Sequence, residues 1–190
     1  MNYKNFLFVF LSLFISDCNK ESTTEPTDAL PAIDLLVGNQ YLFNYGEFSG
    51  IVYFDWFMTT HILRDTIIEE NKYFIFSSGE IARTTSTTVF LWNGYTDIIW
   101  YRFDVELGDD IIYFGKQLKV TSITTDAVFV STQKIISASN ADFTPDTTIT
   151  IRYATKFGIL STSKMISDKR WGSRLEGAKI NSIKYGNYFP

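Results

Sequence analysis

Cysteine and histidine are almost missing: the 190-residue chain has one of each. A single thiol cannot build a disulfide framework within the chain, and one thiol with one imidazole cannot complete a Cys/His zinc site. Proline is scarce, with 4 residues, and charged residues make up only 20% against 45% hydrophobic. A disordered chain would show the opposite balance. Positive charge is also short: the net charge is −4 and the pI is about 5.0. That excludes a general nucleic-acid binder, which needs a broad basic field to meet phosphates. Gly-x-Gly-x-x-Gly, a P-loop and Cys-x-x-Cys are all absent, so no cofactor is expected.

What the chain has is aromatic residues: 17 Phe, 11 Tyr and 4 Trp. It also has a marked N-terminus. Lys4 precedes the apolar run Phe6–Ile15, which has the form of a secretory signal peptide. The run is too short to span a bilayer as a helix, which takes about 20 apolar residues.

Cys18 follows that run directly. Ile15-Ser16-Asp17-Cys18 resembles a lipobox, the processing signal of bacterial envelope lipoproteins. Ile15 and Ser16 match its branched apolar and small positions. Asp17 stands where Gly, Ala or Ser is usual. The resemblance implies cleavage between Asp17 and Cys18 and acylation of the Cys18 thiol, since two or more chains anchor stably where one does not. Ordinary signal cleavage after Cys18 is the alternative, and an unused thiol is the plainest one. Residues 19–33 are rich in Thr, Ser, Glu and Pro without apolar period, and read as a flexible tether. The expected organisation is therefore a leader over 1–17, a lipidated tether over 18–33 and one domain over 34–190, held extracytoplasmically at the cell envelope.

From Asp34 on, turn signals recur at short intervals, among them Ser78-Gly79, Asn93-Gly94 and Gly108-Asp109. Between them stand Ile, Val, Thr, Tyr, Phe and Trp, the types that suit a pleated surface. In Ile98–Glu106 the odd positions Ile99, Tyr101, Phe103 and Val105 should face the core, and Trp100, Arg102, Asp104 and Glu106 the solvent. Thr147–Tyr153 alternates likewise. Ile51–Met58, Tyr73–Phe76 and Val128–Val130 are apolar on both faces and read as central, covered strands. Two long strands are expected over about Val52–Thr66 and Lys72–Phe76, with a turn at Glu69-Glu70-Asn71. Only short helices near Leu30–Val37 or Thr162–Lys169 come into question. The fold class is all-β: a single antiparallel domain of about ten strands, closed as a barrel or paired as a two-sheet sandwich so that edges are hidden.

Trp100–Asp109, Tyr153–Leu160 and Leu175–Asn181 resemble, in that order, three short stretches of uncharacterised β-rich bacterial lipoproteins. The resemblance implies an envelope β domain and transfers no catalytic residue.

Chemistry-bearing patterns are thin. His61, in Thr59-Thr60-His61-Ile62, has no Gly-x-Ser-x-Gly elbow to serve. Ser161–Lys164 and Ser131–Lys134 both fit Ser-x-x-Lys, and the companion Lys-Thr-Gly is missing. Asp104, Glu106, Asp109 and Asp110 are the densest acidic cluster; a glycosidase-like hydrolase would need two of them facing each other with one shielded from water. No catalytic or metal-binding residue is assigned. Trp56, Trp92, Trp100 and Trp171, with Arg102, are the candidate ligand contacts, since exposed rings stack on sugar rings or apolar ligands. The expectation is a membrane-anchored, non-catalytic module binding a carbohydrate, lipid-like or protein ligand. A surface hydrolase is the alternative.

Overall fold

A computed structural model of the chain describes residues 33–49, 52–140, 147–167 and 169–187. The leader, Asp17, Cys18 and the expected tether up to residue 32 lie outside the described residues.

The density of β-branched and aromatic residues is realised as strands throughout. In chain order they are β1 Gln40–Ser49, β2 Val52–Ile68, β3 Asn71–Phe76, β4 Ile81–Thr84, β5 Thr88–Trp92, β6 Asp97–Arg102, β7 Asp110–Tyr113, β8 Lys116–Val128, β9 Ser131–Ser139, β10 Thr147–Ala154, β11 Gly158–Ile166, β12 Lys169–Ile180 and β13 Ile183–Gly186. There are thus 13 strands among the described residues, more than the sequence suggested, and no helix. Thr162–Ile166 belongs to β11, and Leu35–Val37 is irregular. The short helices contemplated there are not formed.

Every ladder is antiparallel, and the order is β6-β5-β4-β3-β2-β1-β12-β11-β10-β9-β8-β7, with β13 added to β12. β6 and β7 come side by side at the ends of this path without a ladder between them. The sheet therefore curls into an almost closed barrel, which leaves few edges to solvent. β1 reaches β12 from the far end of the sequence and carries the main closure.

The core fills this curl. Ile136, Ile151, Tyr153, Ala138 and Leu118 are sealed at 0% exposure, and burying one such aliphatic side chain contributes about 1.5–3 kcal/mol. Tyr153 is tolerated there because its hydroxyl donates to the Arg102 carbonyl at 2.8 Å. Phe103 packs edge-on to both Tyr101 and Tyr153, which are tilted against each other. Ile33 and Leu35 are also buried, so Ile33, the last residue of the expected tether over 18–33, packs in the core of the β domain instead.

Two apolar segments depart from the expected burial. Val52–Met58 is not a covered central strand: Val52, Tyr53, Phe54, Trp56, Phe57 and Met58 are all exposed. Val128–Val130 is not central either, since β8 ends at Val128, and Val130 in the following turn is 89% exposed. Apolar composition on both faces announces burial only if something packs there. Tyr73–Phe76 does match, with Tyr73, Phe74 and Phe76 buried.

The cause for β2 lies in the registers. β3 pairs β2 only from Ile62 on, while β1 pairs it back to Val52. On the other side β9 joins β10 only from Thr150. The strand ends beyond these points project past the barrel as a five-stranded apron. Val52, Ser49, Lys169, Ile166 and Thr147 face one another in turn and form its rim.

Candidate functional site

Side chains on one face of the apron and of the adjoining barrel wall converge inward. Phe43 and Tyr45 on β1 stand level with Met58 and Trp56 on β2, and Tyr45 with Ser173 on β12. Tyr45 stacks on Trp56, with centroids 5.8 Å apart and planes at 12°. Phe43 lies 6.2 Å from Tyr45. This row opens onto a cavity of about 250 Å³, lined by Phe43, Tyr45, Tyr41, Trp100, Tyr113 and Phe114. Phe114 is 60% exposed, so the cavity communicates with solvent at that side. A second hollow of about 430 Å³, sharing Tyr45, Tyr113 and Phe114, continues along the apron to Trp171, Lys116 and Lys164.

Trp100 enters this cavity because of a register shift. Tyr101 pairs Val89 and Ile99 pairs Phe90, so Trp100 is the extra residue of a bulge. A bulge bends its strand and re-aims a side chain. Trp100 was expected on the solvent face beside Arg102; it lines the cavity instead, and Ile99, expected inside, is 44% exposed. Beyond the bulge the alternation resumes, with Tyr101, Phe103 and Val105 buried.

The polar atoms of the lining are unusual. Tyr41 Oη, Glu80 Oε2 and Trp100 Nε1 are buried and have no hydrogen-bond partner, and all three residues line the cavity. Asn39 lies close enough to Tyr41, and Trp100 close enough to Tyr113, to pull the phenol pKa values part-way down, but neither contact has hydrogen-bond geometry. Burial dominates: Tyr113 is pushed up to about 12, and Tyr41 and Tyr101 are raised further. Burial, and then the Glu80 carboxylate, raise Tyr45. All four phenols are therefore neutral donors at physiological pH. An unpaired buried polar group costs about 1–3 kcal/mol, so this lining is poorly satisfied as it stands.

The candidate ligand contacts thus divide. Trp100 and Trp171 line the inward cavities, and Trp56 extends the same wall through Tyr45. Trp92 does not join them; it is half-buried and packs edge-on to Tyr73 at 5.8 Å. Arg102 does not either, since its guanidinium is held by Asp104 at 2.9 Å outside the cavity. Sequence reading missed Tyr41, Glu80 and Tyr113. Glu80 follows the Ser78-Gly79 turn, and no local pattern announces that this turn folds over the cavity.

The other patterns are plainly placed. Asp104, Glu106, Asp109 and Asp110 are exposed; Asp104 pairs with Arg102, Asp109 accepts from the Glu106 amide and Asp110 from Gln117. Ser161 and Lys164 point to opposite faces of β11, as residues three apart on a strand must. His61 lies on β2, its backbone held by Ser77. No group of His, Cys, Asp or Glu able to hold a metal occurs among the described residues.

No protein-family model and no curated protein matches the chain. Among solved structures, a Bacteroides fragilis NCTC 9343 protein termed a "putative exported protein with YmcC-like fold" is similar over 78% of this chain and 98% of its own, at 11% identity and a TM-score of 0.44.

Proposed function

We propose that the chain is an exported, lipid-anchored binding module of the bacterial envelope whose inward cavity receives a saccharide. The single observation that carries the ligand class is the pairing of stacked aromatic walls with three unpartnered buried polar atoms. A sugar ring offers C–H faces to aromatic rings and hydroxyls at its rim. Hydroxyls accept from Trp100 Nε1 and Tyr41 Oη and donate to Glu80 Oε2. An acyl chain would leave all three unpaired, at about 1–3 kcal/mol each. That difference favours a carbohydrate over a lipid-like ligand. The deep cavity, at about 250 Å³, is small for a ligand site, which typically spans about 300–1,000 Å³. It suits one terminal ring, with further units lying along Trp171.

Export and anchoring rest on the leader and Cys18. Metabolic labelling with a palmitate analogue tests them: wild type takes up label and Cys18→Ala does not. Equal labelling would end the anchoring reading. For the ligand, calorimetric titration of residues 19–190 with a panel of neutral and acidic oligosaccharides should find binders whose affinity falls at least tenfold in Glu80→Gln and in Tyr41→Phe. A panel without binders, or affinities unchanged in both variants, would contradict the reading. Residues 19–190 contain every described residue, so every described contact is retained.

A further inference from the structure

The deep cavity holds one charge and nothing that balances it. Among the described residues that line it, Glu80 has the only charged side chain, and nine are aromatic. No ion pair of the described residues includes Glu80, and its Oε2 is buried without a hydrogen-bond partner. The Lys156 ammonium lies over a lining ring, 5.6 Å from the Phe157 centroid, but it donates to the Tyr185 hydroxyl at 2.9 Å.

Local hydrogen bonds fix where Glu80 stands. The chain reverses through Ser77, Ser78 and Gly79, and Gly79 has φ 101°, a conformation that glycine adopts without strain. The Gly79 amide donates to the Phe76 carbonyl at 3.0 Å, and the Phe76 amide to the Glu80 carbonyl at 2.9 Å. The turn is also tied to β2. The Ser77 amide donates to the His61 carbonyl at 2.8 Å, and the His61 amide to Ser77 Oγ at 2.9 Å. Four bonds thus hold the backbone that brings the carboxylate to the cavity wall.

A carboxylate in an apolar wall calls for a cation as well as a donor. A sugar hydroxyl satisfies the hydrogen bond and leaves the charge uncompensated. A divalent metal takes about six or more oxygen ligands, and no group able to hold one occurs among the described residues. A quaternary ammonium balances the charge but has no N–H to give Oε2. A protonated amine does both through a charge-assisted bond, and aromatic faces around it attract the cation further. We propose that the unit seated in the deep cavity is an amino sugar with its nitrogen unacylated, its ammonium donating to Glu80 Oε2. This inference rests on the saccharide reading of the same cavity and names the unit that enters it. The outer hollow adds Lys116 and Lys164 and no carboxylate among the described residues, so the amine belongs to the terminal ring alone. An N-acetyl group in its place carries no charge and adds bulk to a space of about 250 Å³.

Calorimetric titration of residues 19–190 tests this with disaccharides whose terminal unit is glucosamine, galactosamine or mannosamine and whose second unit is neutral. Each is offered as the free amine and in its N-acetyl form. At least one free amine should bind at least tenfold more tightly than its N-acetyl form, and added salt should narrow that ratio. Glu80→Gln keeps the shape of the side chain and removes its charge; it should bring the ratio close to one at unchanged circular dichroism. Equal binding of the two forms would overturn the inference and leave the saccharide reading in place. So would a preference for the amine that survives Glu80→Gln, since the cation would then sit elsewhere on an acidic protein. Binders found only among saccharides without an amine would have the same meaning. Absence of binding by every saccharide, charged or neutral, would end both.

Discussion

Tyr45 and Trp56 stack across β1 and β2 with planes 12° apart, an aromatic cross-strand pair at the mouth of the cavity. Such pairs contribute about 0.5–1.5 kcal/mol beyond area burial. A double-mutant cycle with Tyr45→Leu and Trp56→Leu in urea unfolding should return a coupling in that range. A coupling near zero would mean that the pair is held by the backbone register alone.

A second pair joins β4 to β6. Asp97 accepts from Arg83 Nε at 2.6 Å and from the Tyr73 hydroxyl at 2.7 Å, with about a fifth of each charged side chain exposed. Arg83 also lies over the Phe90 ring at 4.3 Å. Removing Asp97 strands a cation and a buried phenol together. Asp97→Ala should destabilise the chain by about 2–4 kcal/mol, and Asp97→Asn by less because it still accepts. Equal stability of Asp97→Ala and wild type in denaturant unfolding would show that the pair contributes nothing.

Alkaline pH should unfold the protein through its buried phenols. Tyr41, Tyr101, Tyr113 and Tyr153 are all raised by burial, Tyr113 to about 12. A raised folded pKa means that the unfolded chain ionises first. The stabilisation is complete below about pH 10, the ordinary tyrosine value, and is lost as pH climbs through 10 towards the folded values. Absorbance of tyrosinate near 295 nm should therefore rise in two stages, exposed tyrosines first and the buried ones together with loss of circular dichroism. A single stage centred near pH 10, with the fold intact, would contradict the burial.

The turn between β2 and β3 is built from Glu69 and Glu70 at φ 48° and 67°. Two consecutive positive φ values match the two-residue hairpin turn that favours Asn-Gly. Replacing Glu69-Glu70 by Asn-Gly should raise stability by about 0.5–1 kcal/mol, because Asn and Gly enter that region with little strain. A lower melting temperature would show that the glutamates hold the turn in another way.

The all-β class was legible because β-branched and aromatic residues dominate between turn signals, and the expected alternation of Thr147–Tyr153 holds at its end, with Ile151 and Tyr153 sealed and Arg152 exposed, while Thr147–Thr150 are uniformly half-buried. The β2–β3 turn was legible from Glu69-Glu70-Asn71. Two things were not. Period-two reading assumes an unbroken ladder, and the bulge at Trp100 turns that ring from solvent to cavity. Apolar composition also says nothing of whether a neighbour strand arrives; the β3 ladder reaches along β2 only as far as Ile62, and Val52–Met58 stays exposed. The site combines Tyr41, Glu80, Trp100 and Tyr113 from four separate places in the chain, brought together as the sheet curls and sets β6 beside β7.

The saccharide reading is tested most directly at the Trp100 indole N–H. The chain has 4 tryptophans, and their indole protons give separate signals in a nitrogen-15 correlation spectrum, with Trp100 assigned by its absence in Trp100→Phe. Adding a binding oligosaccharide should move that signal downfield as it gains an acceptor, in step with the calorimetric isotherm. A signal that stays in place at saturating ligand would contradict the account.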